Sequence, residues 1–251
     1  MTLGAAADLR FDVTAPEFLD YIADLGLDHA EFKREFLHAP PEWAGADAVR
    51  TAARARGLSV SFHAPFRAWN LGSFNDASRR AAVSQVRATL DDAATCDAPA
   101  AVVHGGSVRS HYPDRVAEKA YENAVTSLRE CADHAAEVGV PLCLENQPVS
   151  AAKRRHTTSP DDLATLLDRV DAPPEALGVT LDVGHAKVNG CDPLSFADRF
   201  GERVRVVHLH DNDGTADQHR PATDYDRVLD ATDADYYAFE MKSMDDIERC
   251  L

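Results

Sequence analysis

The chain predicts an α/β fold, a single (β/α)8 TIM barrel occupying residues 1–251. Three observations carry that expectation. Short apolar runs alternate with longer amphipathic segments along the whole chain, the pattern of parallel strands joined by crossover helices. Six of the runs end abruptly in His, Glu or Asp: Leu58–His63, Ala100–His104, Val140–Glu145, Leu177–Asp182, Val204–His208 and Tyr236–Glu240. The length of 251 residues suits one such barrel, about 250 residues being usual. An open doubly wound sheet would more often show a Gly-rich phosphate turn after its first strand, and none is present.

The elements follow in order. Leu3–Leu9 reads as the first strand and Ala15–Leu25 as a helix stopped at Gly26. Asp28–Phe32 is the second strand, Trp43–Arg56 a helix stopped by Gly57, and Leu58–His63 the third strand. Asn75–Thr95 and Pro113–Val138 are the longest helical patterns, on either side of the strand Ala100–His104; the second ends at Gly139, a helix stop before the strand Val140–Glu145. Ser159–Val170 opens Ser-Pro-Asp-Asp, a cap, a proline and an acidic first turn. Leu177–Asp182 is the sixth strand and Asp192–Phe200 a shorter helix. Val204–His208 is the seventh strand, Asp224–Asp230 a helical turn, Tyr236–Glu240 the eighth strand, and Met244–Leu251 a clipped last helix.

Composition bounds the function. No apolar run approaches membrane-spanning length, and the first residues lack a basic region followed by an apolar core. Five cysteines without a CxxC pair point to a reducing cytoplasm, away from a disulfide scaffold or a thiolate zinc site. The net charge is −16, and only five of the 26 basic residues are Lys, a balance that suits a protein kept soluble in high salt and so a halophilic source. The same charge opposes a polyanion at low ionic strength, although salt screens that repulsion.

A charged or imidazole side chain at the tip of a buried strand is costly unless something pairs with it. One such tip reads as a satisfied core residue; a series reads as a ring of ligands at the carboxyl ends of barrel strands. Glu145, Asp182, His208 and Glu240 combine three carboxylates with one imidazole, a donor set for a divalent cation such as Mn, Mg, Co or Zn. Without a cation these carboxylates would repel, and at least one would take up a proton. His63, His104, His185, Asp217 and His219 extend the set. A polar turn is the plain alternative for Asp217 and His219, and His210, two beyond His208, is expected to orient a neighbour rather than bind metal. Lys153–Arg155 with His156 is either a grip for a phosphate or a solvated loop; Phe66 and Trp69 either wall a sugar ring or pack under their loop.

The segments SFHAPFRAWNLGS, VVHGGS, LCLENQP, GVTLDVGHA, VVHLHDNDG with DQH, and FEMK resemble the xylose-isomerase-like TIM barrel superfamily, which includes sugar (phosphate) isomerases and epimerases and endonuclease-four type apurinic/apyrimidinic endonucleases. The epimerase-like resemblance implies one metal held by Glu145, Asp182, His208 and Glu240, with Glu145 and Glu240 as catalytic acid and base and His185 contacting substrate. The endonuclease resemblance implies up to three Zn on nine ligands, His63, His104, Glu145, Asp182, His185, His208, Asp217, His219 and Glu240. Two functions are therefore expected in order. The first is a metal-dependent isomerase or epimerase of a small sugar, sugar phosphate or polyol, working through a metal-stabilised enediolate, with a small sugar-like partner and a possible homo-oligomer. The alternative is an abasic-site phosphodiesterase with a nucleic-acid partner. A non-enzymatic metal sensor has no positive feature in the sequence, and the pair Glu145 and Glu240 argues against it.

Overall fold

The computed structural model describes residues 1–38 and 45–251. Ten strands and ten α-helices succeed one another among them. They are β1 (Leu3–Ala7), α1 (Ala15–Asp24), β2 (His29–Lys33), α2 (Arg34–His38), α3 (Ala46–Arg54), β3 (Ser59–His63), α4 (Asp76–Thr95), β4 (Ala101–His104), β5 (Ser107–Arg109), α5 (Asp114–Val138), β6 (Leu142–Glu145), β7 (Lys153–Arg155), α6 (Pro160–Val170), β8 (Leu177–Asp182), α7 (Val183–Val188), α8 (Pro193–Phe200), β9 (Val204–Leu209), α9 (Asp226–Ala231), β10 (Tyr236–Phe239) and α10 (Met244–Glu248). Eight strands close a parallel barrel in the order β1-β10-β9-β8-β6-β4-β3-β2, the predicted (β/α)8 architecture.

Local chemistry sets the helix boundaries. Thr14 and Glu17 form a reciprocal capping box at α1. Asn75, Ser159 and Ser243 cap α4, α6 and α10 through their side chains. Gly139 closes α5 in the left-handed region, φ 73°, where a Cβ would be strained. Of the helix expected over Trp43–Arg56, Trp43 and Ala44 lie outside the described residues, and α3 begins at Ala46. The last helix stops at Glu248.

Three features go beyond the expectation: the short helix α2, the helix α7 and a ribbon of β5 with β7. α7 starts immediately at the tip of β8, because the Asp182 carboxylate accepts the His185 backbone N–H at 2.7 Å and so caps it. β5 and β7 pair antiparallel as a small ribbon over the barrel mouth. Three-residue strands carrying Arg and Lys show no apolar alternation, so the stretch Lys153–Arg155 read as loop.

Alternate residues on a strand face opposite sides. One set packs outward against the helices: Phe32 meets Phe18 at a ring-centroid distance of 5.9 Å, and Phe62, Leu90, Leu128 and Phe196 belong to the same fully buried outer core. A smaller apolar group, including Val102, Cys143, Val206 and Tyr236, fills the barrel interior. Beside it His29 is hydrogen-bonded by Ser59 and Ser61 at 2.7 and 2.8 Å and stacks on Tyr236 at 4.1 Å. Among the described residues no helix is long and apolar enough to cross a membrane.

Candidate metal centre

The inward-facing series on every barrel strand ends in a polar group at the carboxyl end. The expectation counted six such tips; the first two strands supply two more, Asp8 just beyond β1 and Lys33 on β2. Asp8, Lys33, His63, His104, Glu145 and Glu240 all line one cavity of about 580 Å³. Asp182 and His208 lie in its floor, fully buried.

The central group is Glu145, Asp182, His208 and Glu240, each offering one donor atom within 4.8 Å of the others. His208 decides its character. Its Nε2 donates to the buried Glu31 carboxylate at 3.1 Å, which fixes the ring. Its Nδ1 is buried with no hydrogen-bond partner among the described residues, and it faces Glu145 Oε1 at 3.7 Å, Asp182 Oδ2 at 3.9 Å and Glu240 Oε2 at 4.0 Å. Those separations are too long for hydrogen bonds, yet donors that share an ion at about 2.0–2.6 Å stand roughly 3–5 Å apart. The residues fit a divalent cation.

Two further groups adjoin it. His63 and His104 approach Glu145 Oε2 at 3.1 and 2.8 Å, so this carboxylate has one oxygen in each of two groups. The third group is His185, His210, Asp217 and His219. His185 Nε2 and His219 Nε2 lie 3.5 and 3.2 Å from Asp217 Oδ2. His219 takes a left-handed backbone, φ 53°, and Nδ1 donates to the Glu240 carbonyl at 2.6 Å. Lys242 grips the carbonyls of Asp217 and Gln218, holding this turn against the site. Thus the polar turn expected as the plain alternative is present, and it also delivers Asp217 and His219 to the cluster.

His210 has one ring nitrogen on Asp182 and the other turned toward the third group. Nε2 approaches Asp182 at 2.9 Å, as an orienting residue would. Among the described residues its buried Nδ1 has no hydrogen-bond partner, nor does Asp217 Oδ1, which lies 3.8 Å away. Gly184 makes room for this ring: a Cβ there would overlap it.

Charge balance explains the protonation pattern. Burial alone would raise the Glu145 and Glu240 carboxyls, but the imidazoles around Glu145, His104 first and then His185 and His208, hold it well below the usual range. Lys33, at 2.6 Å, with His219 and His208, does the same for Glu240. Burial opposes charge on His185 and His208, yet Asp182, Asp217 and Glu145 raise His185, and Glu31, Glu145 and Glu240 raise His208, well above the ordinary value. Metal-free, the carboxylates draw protons onto neighbouring imidazoles; a cation held there would supply the same compensation.

The sequence reading missed Glu31, Lys33 and Asp8. The signal was the run His29-Ala-Glu31-Phe-Lys33, with polar residues at every second position. Ending that strand at Phe32 hid it. Phe66 and Trp69 both line the cavity, Phe66 with its ring centroid 4.5 Å from that of His104.

A family model described as xylose isomerase-like TIM barrel matches residues 19–245. An uncharacterised protein of Methanocaldococcus jannaschii is 30% identical over 165 residues, 64% of this chain and 54% of that protein; the chain thus spans about half the length of that relative. A probable endonuclease 4 of Mycobacterium marinum is 29% identical over 199 residues, 77% of this chain and 73% of the relative. Among solved structures, a D-tagatose 3-epimerase-like protein superposes with a TM-score of 0.85 at 23% identity, covering 100% of this chain and 94% of that one.

Proposed function

This chain belongs to the xylose isomerase-like TIM barrel family, and within it we propose a divalent-metal-dependent isomerase or epimerase of a small sugar or polyol. One observation carries the reading. Glu145 and Glu240 each present one oxygen to the space that the unpartnered His208 Nδ1 faces, and both line a cavity of about 580 Å³, the size of a small-molecule site. The similarity to a D-tagatose 3-epimerase-like structure supports the same reaction class.

Glu145, Asp182, His208 and Glu240 would hold the cation. When bound, it supplies Lewis-acid stabilisation of charge developing on substrate oxygen. The chain's own groups do the rest. One glutamate takes the proton from the carbon next to the substrate carbonyl, and a proton returned to that carbon on the opposite face completes an epimerisation. Lys33 holds Glu240 ionised and in place, so that it starts as a base. His185, between Asp182, Glu145 and Asp217, is positioned to contact a substrate oxygen. Phe66 and Trp69 wall the cavity and limit water near the reacting carbon.

A second reading rests on its own observation. Three adjoining donor groups, two sharing Glu145, are an arrangement that can hold more than one ion, as metal-assisted phosphodiester cleavage uses. The likeness to a probable endonuclease 4 supports it. One experiment separates the two. Protein loaded with Mn, Mg, Co or Zn in molar salt is offered ketoses in D2O and an abasic-site duplex. Solvent deuterium appearing at the carbon beside the carbonyl, lost in Glu145→Gln, supports the isomerase. Nicking of the duplex without any exchange into ketoses sinks it.

A further inference from the structure

The floor of the cavity is carboxylate and imidazole, but one side of its mouth carries three cations with no ion-pair partner among the described residues, Glu145 and Asp217 reaching only Arg155 and only at longer range. In the β5–β7 ribbon Arg109 stands opposite Lys153 and Ser107 opposite Arg155. Opposed residues, and those two apart along a strand, share a face. Arg109, Lys153 and Arg155 therefore occupy one face of a three-residue ribbon, and all three line the cavity. Arg154 alternates to the other side, where it meets Asp114 at 2.8 Å and the Tyr112 carbonyl.

Like charges placed directly across a ribbon destabilise it. In a chain of net charge −16 acidic partners are abundant, yet among the described residues none forms an ion pair with Arg109, Lys153 or Arg155. The other cations at the mouth are engaged: Arg10 with Asp8 at 3.1 Å, Arg67 with Glu35 at 2.8 Å, and Lys242 with two carbonyls. The ribbon is also held firmly. The Asn70 side chain bonds both the N–H and the carbonyl of Ser107 at 3.0 and 2.8 Å, and Arg155 Nη1 donates to the Pro148 carbonyl at 2.6 Å.

We propose that this ribbon is a phosphate clamp, and that the substrate is a small sugar bearing a phosphomonoester. The sugar part of the proposal rests on the isomerase reading; the clamp itself does not. Three cations suit a dianion better than a single carboxylate, and guanidinium groups match phosphate oxygens in pairs. A cavity of about 580 Å³ accommodates one sugar phosphate, with the phosphate at the ribbon and the reacting carbons toward Glu145 and Glu240.

The test has two arms. In the first, full-length protein freed of metal by chelation and dialysis is titrated with inorganic phosphate at one fixed salt concentration. Saturable binding is expected, weakened tenfold or more in the double variant Arg109→Gln/Lys153→Gln. Its Tm should be equal or higher, because opposed charges are removed. Absence of saturable binding, or equal binding by the double variant, overturns the clamp. In the second arm the metal-loaded protein is offered a ketose and the same ketose as its phosphate. The phosphate should be preferred at least tenfold in kcat/KM, with the double variant's loss falling on KM. Equal turnover of the free ketose overturns the substrate assignment and leaves the isomerase reading standing. Phosphate binding at the ribbon with no turnover of either ketose upholds the clamp and overturns the isomerase. An abasic duplex that displaces phosphate and is nicked overturns the small-molecule form of the clamp.

Discussion

Replacement of Glu31 by Gln tests whether the site is built around a cation. Glu31 is fully buried in the barrel interior, two residues before the β2 tip, and is no donor in the central group. Oε2 accepts from His208 Nε2 at 3.1 Å and from the Tyr236 hydroxyl at 2.8 Å. Glutamine keeps the shape and removes the charge. Hydrogen bonds to a charged acceptor contribute about 1.5–3 kcal/mol against about 0.5–1.5 for neutral pairs. Losing the charge on the His208 bond therefore costs roughly 1–1.5 kcal/mol of imidazole orientation and basicity. That is about tenfold in metal affinity, the lower end of the 10–100-fold range typical of groups that support a metal ligand. The assay is competition for Zn or Mn against a chelating dye at fixed pH and salt, with circular dichroism confirming the barrel. An affinity within about twofold of the unaltered protein, in a folded variant, would refute the assignment of His208 Nδ1 as a ligand.

Three further outcomes are expected. Metal analysis should find one Zn per chain held by the central group; a count above one, as the second reading requires, should fall in His210→Asn, which keeps a polar partner for Asp182 but removes a donor from the His185, Asp217 and His219 group, and an unchanged count argues that His210 only orients Asp182. Gly184→Ala should displace the His210 ring, lowering both Tm and Zn content, and a variant matching the original in both would contradict the packing. The third concerns acid stability of metal-free protein. Burial lowers His29 from its ordinary 6.5 to about 4 despite the neighbouring Glu31. The unfolded chain takes up this proton below pH 6.5 and the folded one only near pH 4, so the contribution is full above 6.5 and is lost as pH falls, about 2 kcal/mol of it by pH 5. His29→Asn should flatten the fall in Tm between pH 6.5 and 5; an identical slope would show that His29 titrates freely.

The strand tips were legible because a period of two and an apolar run ending in a charge are local signals. Glu145, Asp182, His208 and Glu240 were readable from sequence for that reason, as was the barrel itself, since the alternation of strand and helix patterns admits few topologies. His63, His104, His185, Asp217 and His219 followed from the same grammar together with a resemblance. Closure of the barrel settled the rest. Glu31 is 177 residues from His208, and Lys33 is 207 from Glu240; only the meeting of β1 with β10 and β2 makes them partners. The role of His210 depended on a glycine in another strand–helix turn leaving space for its ring. The ribbon was least visible, because β5 and β7 are three residues each and their pairing joins segments more than 40 residues apart. Side-chain period and capping are encoded within a few residues, whereas the partner of a buried charge and the surroundings of a surface cation depend on which distant strands the closed sheet brings together.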